Sequence, residues 1–366
     1  MDDIIGERKA DHIEVCLKEN AQSRRATTGF EEVYLIHKAL PEIEREKIDI
    51  STTVFGYRFS APLFVGAMTG GTEKATKINA AIAEAVEELH LGMGVGSQRI
   101  AIDNPKLERS FSIVREKAPT VFILANIGAP QLVGKYGVKE AKKAVEMVQA
   151  NVLAVHLNAL QEAVQPEGDT NYSNLLQKIC KLAQELDVPV IVKETGAGIA
   201  AEEAIMLEAA GVAGIDVAGV GGTSWAAVEY YRAKARQNGS SQRLGETFWD
   251  WGIPTAVSLV ETVRSVSLPV IASGGIRNGI DTTKALALGA SLVSATQPFL
   301  KPATKSSEDV KKALSYLVEE VRNAMFLVGA NSIQNLQKVP VVLTGKTAEW
   351  LKVRGFQPEV YARRKA

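Results

Sequence analysis

A closed (β/α)8 barrel, the TIM-barrel class, is the fold this 366-residue sequence predicts, and three observations predict it. Eight short apolar segments recur along the chain, each ends in glycines or polar side chains, and an amphipathic stretch follows each of them. The segments lie at 62–68, 92–97, 121–127, 152–158, 188–194, 213–219, 268–275 and 290–296. Strands that are apolar throughout belong to parallel sheets covered on both faces. Eight such units over roughly 240 residues fit a closed barrel better than an open doubly wound sheet.

The intervening stretches, such as "TEKATKINAAIAEAVEELH", "SNLLQKICKLAQELD" and "AAEEAIMLEAAG", carry apolar residues at three- and four-residue spacing, as helices with one buried face require. Glycines in "EAAGVAG" and "ALGA" stand where a helix C-cap needs a left-handed residue. Residues 1–60 precede the first unit as an N-terminal extension, with a hairpin expected around "TTVFGYRFSAP" as a cap on the barrel floor. The tail segment "SSEDVKKALSYLVEEVRNAMFLVG" predicts a long C-terminal amphipathic helix. No linker or low-complexity stretch interrupts the pattern, so 1–366 reads as a single domain.

Composition narrows the function. The 42 basic and 42 acidic side chains balance, whereas nucleic-acid and membrane-surface proteins usually carry a basic excess. The two cysteines, Cys16 and Cys180, form no CxxC and no zinc spacing, which fits a reducing compartment. "MDDIIGERKADHIEV" lacks the continuous apolar stretch of a signal peptide, and no apolar run approaches the ~18 residues of a membrane span. A soluble cytoplasmic protein is expected.

Barrel chemistry occurs at the C-terminal ends of the strands. There the fourth segment, "AVHLNALQE", delivers His156, Asn158, Gln161 and Glu162, at the strand end and in the loop expected after it. Buried without partners, each would cost roughly 1–3 kcal/mol, so they face a wet mouth or hold a ligand. Other strand ends are similarly polar: Thr69, Ser97 with Arg99, Asn126, Lys193 with Glu194, Thr223, Ser273 and Thr296. "SGGIRNGID" combines two glycines with a following helix whose first N–H groups would suit an anion, the common phosphate cradle of barrels. A Gly-rich turn required only by packing is the plainer alternative. "AGVGGTSW" adds a second such turn with the hydroxyl of Thr223.

Lys193 could form a Schiff base, pair with a carboxylate, or sit beside a flavin ring. Arg8, Lys9 and His12 form a compact cationic cluster suited to a polyanionic substrate, or simply a solvated charged face. Glu162 has the hard oxygens that Mg2+ prefers when phosphates supply its other ligands.

"RKADHIEV", "AMTGG", "MGVGSQR", "LANIGAPQL", "VHLNALQEAVQPEGD", "VKETGAGI", "DVAGVGGTSW", "DWGIPT" and "SGGIRNG" resemble, in order, the blocks of type 2 isopentenyl diphosphate isomerase, from about residue 8 to 300. The resemblance implies an FMN-binding TIM barrel that isomerises isopentenyl diphosphate to dimethylallyl diphosphate in isoprenoid biosynthesis. It implies reduced FMN as the active form, NADPH or NADH as reductant, Mg2+ on the diphosphate, and a homo-oligomer, tetramer or octamer.

Carried over position by position, Ala67, Met68, Thr69, Ser97, Asn126, Lys193 and Thr223 would line the flavin. Gly274, Gly275, Ile276, Arg277, Ala295 and Thr296 would hold its phosphate. Arg8, Lys9, His12, Arg99, Asn158 and Gln161 would surround the substrate, Gln161, His156 and Lys193 would be catalytic, and Glu162 would bind the metal. The chain departs from the family at Ala159, where a proline is common, and at "SATQP", where a Gly-Met-Ala-Leu-Pro-like run is common. Flavin barrels of the hydroxy-acid oxidase type, the runner-up, share only the phosphate site and need an acid/base beside the seventh strand.

Overall fold

In the computed structural model, which describes residues 2–365 with side chains from Gly6, the eight predicted segments pair into one closed parallel barrel. Its strands are Leu63–Val65, Gly92–Gly94, Phe122–Gly128, Val152–His156, Val190–Lys193, Gly214–Asp216, Val270–Ala272 and Leu292–Ala295. The eighth pairs with the first, Val293 opposite Leu63, and so closes the ring. Most strands stop short of the predicted segments at their C-terminal ends, because those residues leave the ladder and turn outward to form the mouth.

The helices form where the periodicity places them. Glu73–Leu89 starts at Thr72, whose side chain accepts the Ala75 N–H at 3.1 Å. Gly211 and Gly289 are left-handed, as the expected helix ends require.

The predicted floor cap is present. Thr52–Val54 and Tyr57–Phe59 form an antiparallel hairpin. Val54 and Phe59 pack with the inward-facing Phe64, Phe122, Ile191, Ile271 and Leu292 as one buried cluster. The Phe59 and Phe122 rings lie 5.1 Å apart, within the range of favourable aromatic pairs.

Two features were not anticipated. Asp2–Lys18 is an α-helix, although its charges and apolar residues alternate too evenly to announce one face. The long helix Ser307–Leu327 matches its prediction, but the chain then continues through Ile333–Leu336, Val341–Leu343, Gly345–Val353 and Glu359–Ala362. Val341–Leu343 pairs antiparallel with Val33–Leu35, tying the tail to the extension. No helix among the described residues is long and apolar enough to cross a membrane.

Candidate active site

A cavity of about 270 Å3 opens among the C-terminal ends of the barrel strands, and every residue assigned above to flavin, phosphate, substrate or metal lines it, while Glu194 does not. Strand topology brings together positions that lie almost 290 residues apart, from Arg8 to Thr296.

His156 is the last residue of the fourth strand, and Asn158 precedes the short helix Ala159–Val164. Gln161 and Glu162 therefore ride on a helical turn rather than in the expected loop. That turn lets Asn158 Nδ2 donate to Gln161 Oε1 at 3.2 Å and to Glu162 Oε1 at 2.9 Å. Tyr172 donates its hydroxyl to Asn158 Oδ1 at 3.1 Å, fixing the amide. Glu162 Oε2 accepts the Asp169 N–H at 2.8 Å and a bond from Gln165 Nε2. Oε2 thus accepts two bonds and Oε1 one, so the carboxylate is held through both oxygens on the cavity wall. That donor chemistry fits one carboxylate ligand of a hard cation completed by phosphate oxygens.

The N-terminal helix lays Arg8, Lys9 and His12 over the mouth. Lys9 Nζ donates to the Ser97 carbonyl at 2.6 Å. Burial, with the Arg8 charge beside it, lowers the Lys9 ammonium to about 7. His12 is paired with a carboxylate. Burial holds it below its ordinary value despite the pull of Glu229, whose Oε1 lies 2.9 Å from Nε2. Glu229 also accepts Gln161 Nε2 at 3.1 Å and an Arg232 Nη1 bond. Burial pushes Glu229 up, but His12, Arg232 and Gln161 outweigh it and hold the carboxyl at about 2.

Arg99 follows the second strand, and its buried Nε has no hydrogen-bond partner among the described residues. The side chain is half-buried, with Asp103 Oδ2 3.9 Å from that Nε, and an unspent donor there suits an anionic ligand. His156 Nδ1 lies 2.8 Å from Asn126 Oδ1. Burial, followed by the charges of Lys193, Lys9 and Arg8, pushes this histidine down to about 3. Lys193 Nζ donates to the Glu194 carbonyl at 2.6 Å and makes no ion pair among the described residues. The Glu194 carboxylate turns away to accept the N–H groups of Thr195, Gly196 and Ala197. Burial raises it to about 7 against those three bonds.

The two Gly-rich turns meet: a Cβ on Gly222 would lie 2.5 Å from Gly275 Cα. A Cβ on Gly221 would lie 2.2 Å from Thr28 N, and one on Gly275 would lie 2.3 Å from Thr28 Cγ2. Close packing against the 20s segment is therefore part of what these glycines do. That segment is stitched across both turns. Ser23 N–H donates to the Gly222 carbonyl at 2.8 Å, Gln22 Nε2 to Thr223 Oγ1 at 3.3 Å, and Arg277 Nη2 to Gln22 Oε1 at 2.6 Å.

The helix Gly279–Ala287 does not offer the free N-terminus that was expected. Its Gly279 N–H donates to Glu320 Oε2 at 2.6 Å, and its Asp281 N–H to Asn278 Oδ1 at 2.8 Å. What faces the cavity is the turn Gly274–Arg277 with the Arg277 guanidinium, and Thr296 across from it. That backbone-plus-guanidinium set fits a phosphate.

Sequence reasoning missed several wall residues. Asp216 lies in "GIDVAG", where an acid inside an apolar strand was a readable signal. Burial raises its carboxyl, and Ser273 Oγ donates to it. Ile13, Cys16, Trp225 and Leu300 supply apolar wall with no local signature.

The family model described as FMN-dependent dehydrogenase matches residues 2–144 and 137–342. An isopentenyl-diphosphate delta-isomerase of Methanosarcina barkeri is 52% identical over 97% of this chain and 96% of its own. The enzyme of that name from Pyrococcus furiosus is 51% identical over 95% of this chain and 89% of its own. Among solved structures, a lactate oxidase of Pediococcus acidilactici superposes with a TM-score of 0.65 at 18% identity, covering 88% of each chain, a likeness of fold.

Proposed function

This chain belongs to the isopentenyl-diphosphate delta-isomerases, in their FMN-dependent type, and we propose how its barrel mouth divides that work. The enzyme interconverts isopentenyl and dimethylallyl diphosphate, a step of isoprenoid biosynthesis. One observation carries the division: a single cavity has two cationic ends. Arg277 and the Gly274–Gly275 turn follow the seventh strand, while His156 ends the fourth, across the closed ring, with Arg99, Arg8 and Lys9 converging on its side. A cofactor phosphate and a substrate diphosphate need such a separation.

Arg277, Ile276 and the glycine turn, with Ala295 and Thr296, would hold the FMN phosphate. Ala67, Met68, Thr69, Ser97, Asn126, Lys193 and Thr223 would line its ring. When bound and reduced, FMN supplies an electron-rich ring whose nitrogen can give and take a proton beside the carbon skeleton. The remaining work falls to side chains. Arg8, Lys9, Arg99, His156 and Asn158 grip the diphosphate, with His12 as a hydrogen-bonding neighbour. Glu162 would hold Mg2+ through its carboxylate, the diphosphate completing the shell.

Moving the double bond adds a proton at C4 and removes one from C2, with positive charge developing between them. Gln161, fixed at both ends by Asn158 and Glu229, orients the alkene, and a carboxamide is too weak an acid to protonate it unaided. Lys193 sets positive charge beside the ring. Trp225, Ile13 and Leu300 keep water from the developing cation. The reductant would be NADPH or NADH, and the enzyme a cytoplasmic tetramer or octamer.

The hydroxy-acid oxidase reading lacks support, because the cavity histidines, His12 and His156, belong to the N-terminal helix and the fourth strand. Anaerobic turnover of isopentenyl diphosphate with reduced FMN, without net NADPH consumption, is the expected result. Equal activity with oxidised FMN in air would overturn the proposal.

A further inference from the structure

Gln98 lies in the "GSQR" block, is fully buried, and has no part in the roles above. Its Nε2 donates to the Ala144 carbonyl at 2.8 Å, which leaves Oε1 to accept the Asn126 N–H at 2.9 Å. The Gln98 N–H also donates to the Asn126 carbonyl at 2.9 Å, so both backbone groups of Asn126 are held by one residue. Asn126 Nδ2 donates to the Val95 carbonyl at 3.1 Å, so its Oδ1 is the atom facing His156. A carbonyl only accepts, so the Val95 carbonyl sets which amide atom of Asn126 meets His156, and Gln98 holds the backbone from which that amide is aimed. The bond between Asn126 Oδ1 and His156 Nδ1 must therefore carry its proton on Nδ1. In the neutral ring Nε2 is then a bare lone pair, and it makes no hydrogen bond among the described residues.

We propose that Gln98, acting through Asn126, is a positioning residue that fixes His156 as the Nδ1–H tautomer, so that the imidazole engages the diphosphate only by taking up a proton at Nε2. This rests on the reading of His156 as a diphosphate contact. The proton comes from bulk water and is shared between Nε2 and a phosphate oxygen, with no bond to carbon made or broken. The charged groups facing the ring are Lys193 from the adjacent strand and Lys9 and Arg8 from the N-terminal helix. All are cations, and they keep Nε2 bare until an anion arrives. Substrate binding is thereby coupled to proton uptake.

The chain has four histidines, His12, His37, His90 and His156, so nitrogen-15 histidine spectra of the FMN-loaded enzyme without substrate are assignable, His156→Gln removing one set. The expected wild-type spectrum shows His156 protonated at Nδ1 and bare at Nε2. Gln98→Met should mix the tautomers and raise the KM for isopentenyl diphosphate about tenfold with little change in kcat. Gln98→Glu, which in its protonated form keeps both an acceptor for the Asn126 N–H and a donor for the Ala144 carbonyl, should recover most of that loss as pH falls. Titration calorimetry in buffers of different ionisation enthalpy should show wild type taking up about one proton more than His156→Gln on binding isopentenyl diphosphate.

A wild-type spectrum with the proton on Nε2 overturns the tautomer. A tautomer and KM unmoved in Gln98→Met overturn the role of Gln98. Equal proton uptake in wild type and His156→Gln overturns the coupling. Absence of any isopentenyl diphosphate binding would instead sink the substrate reading together with the coupling, while the ligand-free spectrum still decides the tautomer.

Discussion

The floor and the mouth of this barrel are both closed by the first sixty residues, and they are closed by opposite chemistry. At the floor, the hairpin presses Val54 and Phe59 onto Phe64 and Phe122, an apolar cluster edged by the Tyr57 ring. At the mouth, a helix from the same extension sets Arg8, Lys9 and His12 over a wall of hydrogen-bonding groups. The contrast teaches where stability and function are separated. Apolar burial at the floor is indifferent to ligands, whereas buried cations at the mouth are costly until an anion meets them.

The largest effect should come from breaking the floor. Phe122→Ala removes a fully buried ring and should cost about 3–5 kcal/mol of unfolding free energy in denaturant titrations. The KM for isopentenyl diphosphate should stay near the wild-type value, and a large rise in KM would deny the separation. Breaking the mouth should do the reverse. Arg8→Ala should weaken substrate binding by roughly 1.5–3 kcal/mol, one charged hydrogen bond, with FMN content and Tm unchanged. Loss of FMN as severe as loss of substrate would mark the helix as structural.

Two finer changes sharpen the comparison within the mouth. Glu162→Gln preserves size but removes the charge a hard cation needs, so turnover should demand far more Mg2+ while FMN binds normally. Gln161→Ala should instead lower turnover at saturating Mg2+. An unaltered Mg2+ dependence in Glu162→Gln, with the fold intact, would refute the metal assignment.

The smallest effect is a pH dependence. Lys9 sits at about 7 rather than near its ordinary 10.5, so it loses its proton as pH rises through that value. The KM should therefore climb above neutral pH, the bound diphosphate moving the midpoint upward. Lys9→Arg, protonated throughout, should flatten the climb in KM measured across that range. A climb of equal size in that variant would show that another group titrates.

The barrel was legible because each strand repeats one local rule: an apolar run, a polar or glycine ending, and a helix of matching period. The site was legible to the extent that its residues crowd those endings. Glu229 was not legible, because its meaning lies in His12, 217 residues away, and in Gln161, 68 residues away. Helix Asp2–Lys18 was hidden because its only fully buried described side chain is Ile13. The expected helix N-terminus at Gly279 failed for a related reason. Glu320, on a distant helix, already occupies its N–H, and no local pattern announces that contact.

The pairing of Val33–Leu35 with Val341–Leu343 has a consequence in time rather than in space. A ribosome delivers the chain from its amino end, so the gripping residues of the mouth are made first. The strand that anchors the extension carrying them arrives among the last. Thr344 N–H and Lys346 N–H close onto Glu32 across more than three hundred residues. Contacts of such sequence separation form late, because the loop entropy must be met before they contribute. During synthesis the barrel can therefore close while its entrance is still unlatched. A chain halted before Val341 would keep all eight barrel strands and lack the fastening of its own doorway.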